Sequence, residues 1–243
     1  VYTFVLCNTD DSREKERAYL NALQQKSADG FVIVSSTITK EDAEEVNVPI
    51  VSLDRVFNES TSTVTAENKQ GAKMAVEFLK ATGCKRIAHI AGHEDASNTR
   101  ERLRGYLDVV ENDEWFTSDY IVTGNYNMET AKSEVLALLK KHPDIDGIFA
   151  GNDIMAIGAL KAAEALNIRV PDKLSIVGFD GIALGETTTP ALTTIAQPIY
   201  KIGSRAAQLL IEKIHRTQDD PVVAHVNFPV NLIERESTRK RVL

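Results

Sequence analysis

The chain is 243 residues long, 43% apolar and 26% charged, with 13 Gly, 7 Pro and 2 Cys. This excludes a disordered, collagen-like or disulfide-scaffold protein, and the length accommodates one large domain or two lobes of about 100–120 residues. The net charge of −7 argues against nucleic-acid binding by this chain itself, and apolar runs of about five residues are too short to cross a bilayer. Cys7 and Cys84 cannot build a framework, which fits a reducing compartment. No charged-then-apolar leader is visible, although Val1 is not a natural start.

The apolar run at 2–7 (YTFVLC) predicts a buried strand. Asp11 and Glu14 have capping-box spacing and open a helix with Ala18, Tyr19, Ala22 and Leu23 on its apolar face. A strand follows Gly30 at 31–35, Thr39 and Asp42 open a short helix, and Pro49 leads into a strand at 50–54. The polar stretch 58–65 (NESTSTVT) is read as a crossing between lobes. Beyond it, Ala72, Ala75, Val76 and Leu79 form a helix stripe stopped by Gly83. A strand at 86–91 precedes a helix whose face is Leu103, Tyr106, Leu107 and Val110. After a strand at 120–123, Asn127 caps a helix carrying Ala131, Val135, Leu138 and Leu139. A strand at 147–150, a helix at 153–166 and strands at 174–178 and 192–195 continue the alternation. Pro198 suits the first turn of a helix bearing Ile202, Ala206, Leu209 and Leu210, and 222–226 with 230–234 read as paired edge strands. This rhythm implies an α/β fold with parallel sheets flanked by helices. The first lobe, with three strands before the crossing, is short for a doubly wound unit.

Ligands of open parallel sheets bind outside the carboxyl ends of the strands. The residues there are Asp54-Arg55, Gly92-His93-Glu94, Gly151-Asn152-Asp153 and Phe179-Asp180-Gly181. Asp is also a common loop and cap residue, so a bland reading stands beside the functional one. Carboxylates and amides converging on one cleft suit a polyhydroxylated ligand, for which Arg102 would supply a donor fork and Tyr126 a ring. Taken singly, each is read more readily as a surface ion-pair residue (Arg102) or a packing aromatic (Tyr126) than as a ligand contact. No G-x-G-x-x-G, Walker loop, G-x-S-x-G, C-x-x-C or H-E-x-x-H occurs. His89 and His93 would not share a helical face, so no metal is expected. An Asp54–Asp153–Asp180 hydrolase remains formally open. The basic tail 235–241, four cations in seven residues, reads as a solvated end.

The stretches PIVSLDR, TGCKRIAHIAG, RLRGY, GNDIMAIGAL, VPDKLSIVGFDG and PALTTIAQP recur in order along nearly the whole chain. In this it resembles the effector-binding region of a lactose-repressor/galactose-repressor family transcription regulator. The resemblance implies two Rossmann-like lobes of periplasmic-binding-protein type, joined by three crossovers, with the effector in the cleft between them. It implies a boundary at 1–66 plus 197–227 for the first lobe and 67–196 plus 228–243 for the second. By motif it assigns effector contacts to Asp54, Asn98, Arg102, Tyr126, Asn152, Asp153, Asp180 and Gln197. It implies a cytoplasmic repressor, not an enzyme, with no cofactor, a sugar-like effector and a homodimeric or higher assembly whose face includes 182–190. Operator DNA would be bound through an N-terminal helix-turn-helix that this stretch lacks, together with the hinge and the first β-α unit. The alternative is a periplasmic-type sugar-binding protein of a transporter.

Overall fold

The computed structural model describes residues 2–10, 12–35, 37–56, 58–215 and 223–240. In chain order the first elements are α1 (Arg13–Gln25), β1 (Phe31–Ile33), α2 (Lys40–Glu44), β2 (Ile50–Leu53) and β3 (Ser62–Ala66). Then come α3 (Asn68–Ala81), β4 (Ile87–Ala91), α4 (Ser97–Val110), β5 (Ile121–Thr123), α5 (Met128–Lys141), β6 (Gly147–Ala150), α6 (Asp153–Ala165), β7 (Ser175–Asp180) and β8 (Thr193–Ala196). The chain closes with α7 (Ile199–Ile214), β9 (His225–Phe228) and β10 (Asn231–Ile233). It divides into two compact units. Unit 1 is Val1–Thr65 with Ile199–Phe228, and unit 2 is Ala66–Pro198 with Pro229–Leu243.

In unit 1 the strand order is β1-β2-β3-β9, with β1–β2 and β2–β3 parallel. Helix α7 packs on β1 and β2 and buries Ile202, Ala206 and Leu209, the spacing of one helical face. Helix α2 carries the expected capping box, with Thr39 and Asp42 each satisfying the other's backbone N–H. Three expectations fail here. Residues 2–7 do not form a strand, because no neighbouring strand pairs with them among the described residues, and Phe4 and Leu6 stand exposed. Helix α1 begins at Ser12, whose hydroxyl accepts from the Lys15 N–H, while Asp11 lies outside the described residues. Its buried side carries Glu16 and Leu20 while Ala18, Tyr19 and Ala22 are exposed. The Glu16 carboxylate turns inward because the hydroxyls of Ser35 (2.8 Å) and Thr37 donate to it. Lastly, the stretch 58–65 is not a bare crossing: it runs into strand β3, although the passage from unit 1 to unit 2 does fall at its end, between Thr65 and Ala66. Its Ser/Thr-rich sequence survives burial because the side chains are paired: the Ser62 hydroxyl accepts from the Ala224 N–H, and that of Thr63 lies 2.8 Å from His225 Nδ1.

Unit 2 is a six-stranded sheet in the order β10-β8-β7-β6-β4-β5, parallel except for β10. Strands β9 and β10 thus lie in different sheets, contrary to the expected pair: β9 extends the edge at β3 and β10 the edge at β8. Side chains alternate across the sheet with period two. Ala88, Ile90, Ile148, Ala150 and Ile176 join α5 and α6 in one core, while His89 and Phe149 face the other way. There His89 also stacks on Tyr106 of α4. Asn127 caps α5 as expected, and Asn152 caps α6 by accepting from the Met155 N–H at 2.8 Å. In the basic tail, Lys240 is exposed and Arg241 lies outside the described residues, but Arg235 and Arg239 are not solvated ends. Arg235 donates to the Leu192 carbonyl and pairs with Glu186, and Arg239 reaches the Asp146 carbonyl at 3.0 Å. Two arginines become anchors because the chain doubles back beside β8 and brings strand-end carbonyls within their reach.

Candidate functional site

In unit 2 the strand order reverses between β4 and β6, with β5 on one side and β6, β7 and β8 on the other. That reversal point, at the carboxyl ends, is where the connecting loops diverge and where open α/β sheets bind their ligands. Helix α4 starts beside it. Its buried stripe begins with polar residues, Asn98, Thr99 and Arg102, instead of the Leu103 and Leu107 expected from hydrophobicity. A polar stripe on the inner face of a helix needs partners, and each of these has them.

Arg102 is 2% exposed. Its Nε donates to Asn68 Oδ1 at 2.8 Å and its Nη1 to the Gly151 carbonyl at 2.5 Å. Nη1 also stands 3.3 Å from Asp180 Oδ1, and the guanidinium lies 3.8 Å from the centroid of the Phe179 ring. A buried guanidinium costs several kcal/mol unless it is surrounded this way. Nη2 is buried and makes no hydrogen bond to the described residues. Asp180, the last residue of β7, accepts from Gln197 Nε2 at 2.8 Å, and the Gln197 N–H donates to the Asp180 carbonyl. Arg102, Asp180 and Gln197 are therefore one network.

A second group sits on the first turn of α4. The Tyr126 hydroxyl donates to Asn98 Oδ1 at 3.0 Å and lies 2.6 Å from Thr99 Oγ1, and its ring meets His93 edge-on. Asn125 and Tyr126 both have positive φ (51° and 56°), so the turn that presents the ring is held against its backbone preference by these contacts. Asn152 is 8% exposed and uses its side-chain oxygen as the α6 cap. Asp153 departs from the expected ligand-facing role. Its carboxylate has no exposed surface and accepts from Gly181 N–H, Ile182 N–H and the Thr194 hydroxyl. Asp54 belongs to unit 1, in a left-handed conformation (φ 65°), and is not part of the set that unit 2 assembles.

Burial pushes His89 down to about 4, leaving a neutral ring whose Nδ1 bonds the Phe149 carbonyl. Burial also raises Asp153 to about 6, against the pull of its three hydrogen-bond donors. Among the described residues no group of three or more His, Cys, Asp and Glu is arranged to hold a metal. Sequence reasoning missed Asn68, Thr99 and Thr194, and it placed Gly151 and Phe179 at strand ends without giving either a role against Arg102. Position at a strand end was the signal for Gly151 and Phe179; a lone Asn or Thr carries none.

A parallel sheet with charged and amide side chains gathered at its strand ends is the pattern of a periplasmic-binding-protein-like module, and residues 76–238 match the family model of that description, periplasmic binding protein-like domain. The chain is 43% identical over 238 residues to the ribose operon repressor of Halalkalibacterium halodurans, covering 98% of this chain and 71% of that one. It is 34% identical to the sucrose operon repressor of Streptococcus mutans, over 97% of this chain and 72% of that one. Among solved structures it resembles a periplasmic binding protein/LacI transcriptional regulator from Alkaliphilus metalliredigens complexed with D-xylulofuranose. That match has a TM-score of 0.88 at 30% identity, over 98% of this chain and 88% of that one. A LacI family regulator from Enterococcus faecalis with bound ribose matches with a TM-score of 0.83 at 30% identity, over 97% and 86% of the two chains. The chain belongs to the lactose-repressor (LacI) family of transcriptional regulators, of which it is the effector-binding region.

Proposed function

We propose that this region senses a sugar for a bacterial repressor, and that the sugar is held at the carboxyl ends of the unit 2 strands. The carrying observation is the Arg102 guanidinium, locked by Asn68, Gly151 and Phe179 with its Nη2 donor uncommitted, beside the Asp180–Gln197 pair. A carboxylate that accepts hydroxyl protons next to a fixed cationic donor suits vicinal diols, and the Tyr126 ring offers an apolar plane for a sugar face. The relatives named above are repressors of ribose and sucrose operons, and two structural neighbours hold D-xylulofuranose and ribose, which supports the same ligand class here.

The module works by binding, without catalysis or a cofactor, in the cytoplasm with its operator DNA. Two conformations of a regulator differ in operator affinity, and the sugar shifts them only through its unequal affinity for the two. A tenfold change in operator affinity needs about 1.4 kcal/mol of such coupling. The active form is a homodimer or higher oligomer. Its face is formed by α6 and the loop 182–190, where a cavity of ≈ 340 Å³ is lined by Ile157, Leu160, Ile168 and Pro190, with Lys161 and Glu164 alongside.

Titration calorimetry with D-ribose, D-xylulose, sucrose and cellobiose tests the proposal. Saturable binding of one of them, weakened at least about tenfold by Asp180→Asn, is the expected result. Heat-silent titrations with all four, or an Asp180→Asn affinity equal to wild type, would overturn it.

A further inference from the structure

We infer that Asp153 is a positioning residue for the sugar site, a buried carboxylate that fixes the turn carrying Asp180 and so aims the Asp180 side chain at Arg102 and Gln197. The inference rests on the sugar-binding reading above and deepens it. Asp180 has φ 104° and Gly181 φ 78°, so two successive residues leave the ordinary backbone regions at the point where the strand ends. For a residue with a Cβ, such a conformation persists only when the surroundings over-determine it. Asp153 supplies that constraint from a different element, the first turn of α6. Its Oδ2 accepts from the N–H groups of Gly181 and Ile182, both at 2.8 Å, and its Oδ1 accepts from the Thr194 hydroxyl of β8 at 2.6 Å. One carboxylate thus ties α6, the end of β7 and β8 together.

The space for it is made by Gly178, where a Cβ would stand 2.2 Å from Asp153 Oδ1. On the far side of the same turn, the Asp180 carboxylate meets Nη1 of Arg102 at 3.3 Å and Nε2 of Gln197 at 2.8 Å. Asp153 itself is fully buried with both oxygens accepting hydrogen bonds from within the unit, so it presents no surface to a ligand. Its effect on binding therefore passes through Asp180.

An amide can replace this carboxylate, since the oxygen of Asn accepts from both backbone N–H groups and its NH2 donates to Thr194. A methyl cannot. The experiment compares Asp153→Ala and Asp153→Asn, each alone and combined with Asp180→Asn, by D-ribose titration and by ¹H–¹⁵N spectra of the backbone and of the Gln197 side-chain amide. In Asp153→Ala, ribose affinity should fall about tenfold or more, from the lost turn hydrogen bonds. The Gln197 NH2 signals should move, and the Gly181 and Ile182 amides should lose exchange protection while those of Phe149 keep it. Asp153→Asn should restore all three, and Asp153→Ala should cost no further affinity once Asp180 is Asn, as coupled sites require. Should the alanine variant not fold, Asp153→Ser, too short to reach the turn, carries the same expectations. Wild-type affinity with an unmoved Gln197 signal in a folded variant would overturn the inference, as would strict additivity with Asp180→Asn. If wild type binds no D-ribose, the sugar reading fails for that ligand, and the Gln197, Gly181 and Ile182 signals still decide the positioning role.

Discussion

The two units are built from the same alternation of strand and helix, yet they bury their apolar residues very differently. In unit 2 the sheet is covered by α3 and α4 on one side and α5 and α6 on the other, and its strands β4 and β6 are buried along their whole length. In unit 1, Phe4 is 81% exposed and Val34 58%, and β1 stands at a sheet edge. Among the described residues, the exposed large hydrophobic side chains lie almost all in unit 1. A parallel sheet is stable when both faces and its central strands are covered. The difference teaches that local sequence pattern is sufficient to start both sheets, while only completed layers make one rigid enough to hold a charged site in place.

The difference should show directly in hydrogen exchange. Amides of β4, β6 and β7 should exchange at least about 100-fold more slowly than those of β1, some 2.7 kcal/mol in local opening free energy. Uniform protection across both units, read by mass spectrometry, would break the comparison. Truncation should follow the same line. Phe149→Ala, at a fully buried position, is expected to cost about 3–5 kcal/mol of stability. Val34→Ala in unit 1 should change it by no more than about 0.5 kcal/mol in denaturant titrations.

Arg102→Ala comes next, expected to cost roughly 3 kcal/mol of stability as well as sugar affinity, because it strands Asn68 and Asp180 in a buried setting. A drop in affinity with an unchanged melting temperature would show that the guanidinium contacts the ligand without holding the unit.

The smallest effect concerns pH. Asp153 is raised from 3.8 to about 6 by burial, so between pH 4 and 6 the folded chain binds more protons than the unfolded chain at this site. Stability from Asp153 therefore falls as pH rises through that window and is constant above it. His89, lowered to about 4, acts oppositely, since the unfolded imidazole protonates first and stability is lost as pH falls from 6.5. Comparing wild type with Asp153→Asn cancels the histidine. The variant should gain about 1–2 kcal/mol over wild type at pH 7.5, and the gain should shrink toward pH 4.5. A difference that does not change with pH would mean that the carboxylate ionises as if it were in water.

Much of this was legible in the sequence where periodicity and burial agree. The stripe of α3, the cap Asn127 and the strand end bearing Asp180 follow from spacing, whereas the contact roles of Asn152 and Gln197 come with the family resemblance and the capping role of Asn152 with neither. The family resemblance placed Arg102 and Tyr126 beside the same strand ends, which hydrophobicity alone could not. Legibility failed where a polar group takes an apolar position. Glu16 replaces Ala18 and Tyr19 as the inner face of α1, and Arg102 replaces Leu103 on α4, because each finds donors or acceptors contributed by distant segments. The inward turn of Asp153 was hidden for the same reason, since Gly181, Ile182 and Thr194 lie far along the chain. An apolar run at 2–7 looked like a strand because composition records propensity and not whether a neighbour is there to pair with it.

The central claim is that the carboxyl-end face of the unit 2 sheet holds the sugar. Its most direct test is a ¹H–¹⁵N shift map of the isotope-labelled chain titrated with D-ribose. The account predicts saturable shifts at Gly92, Asn98, Tyr126, Gly151, Asp180 and the Gln197 side chain, all at those strand ends. Shifts confined to the cavity beside α6, with the strand ends unmoved, would contradict it.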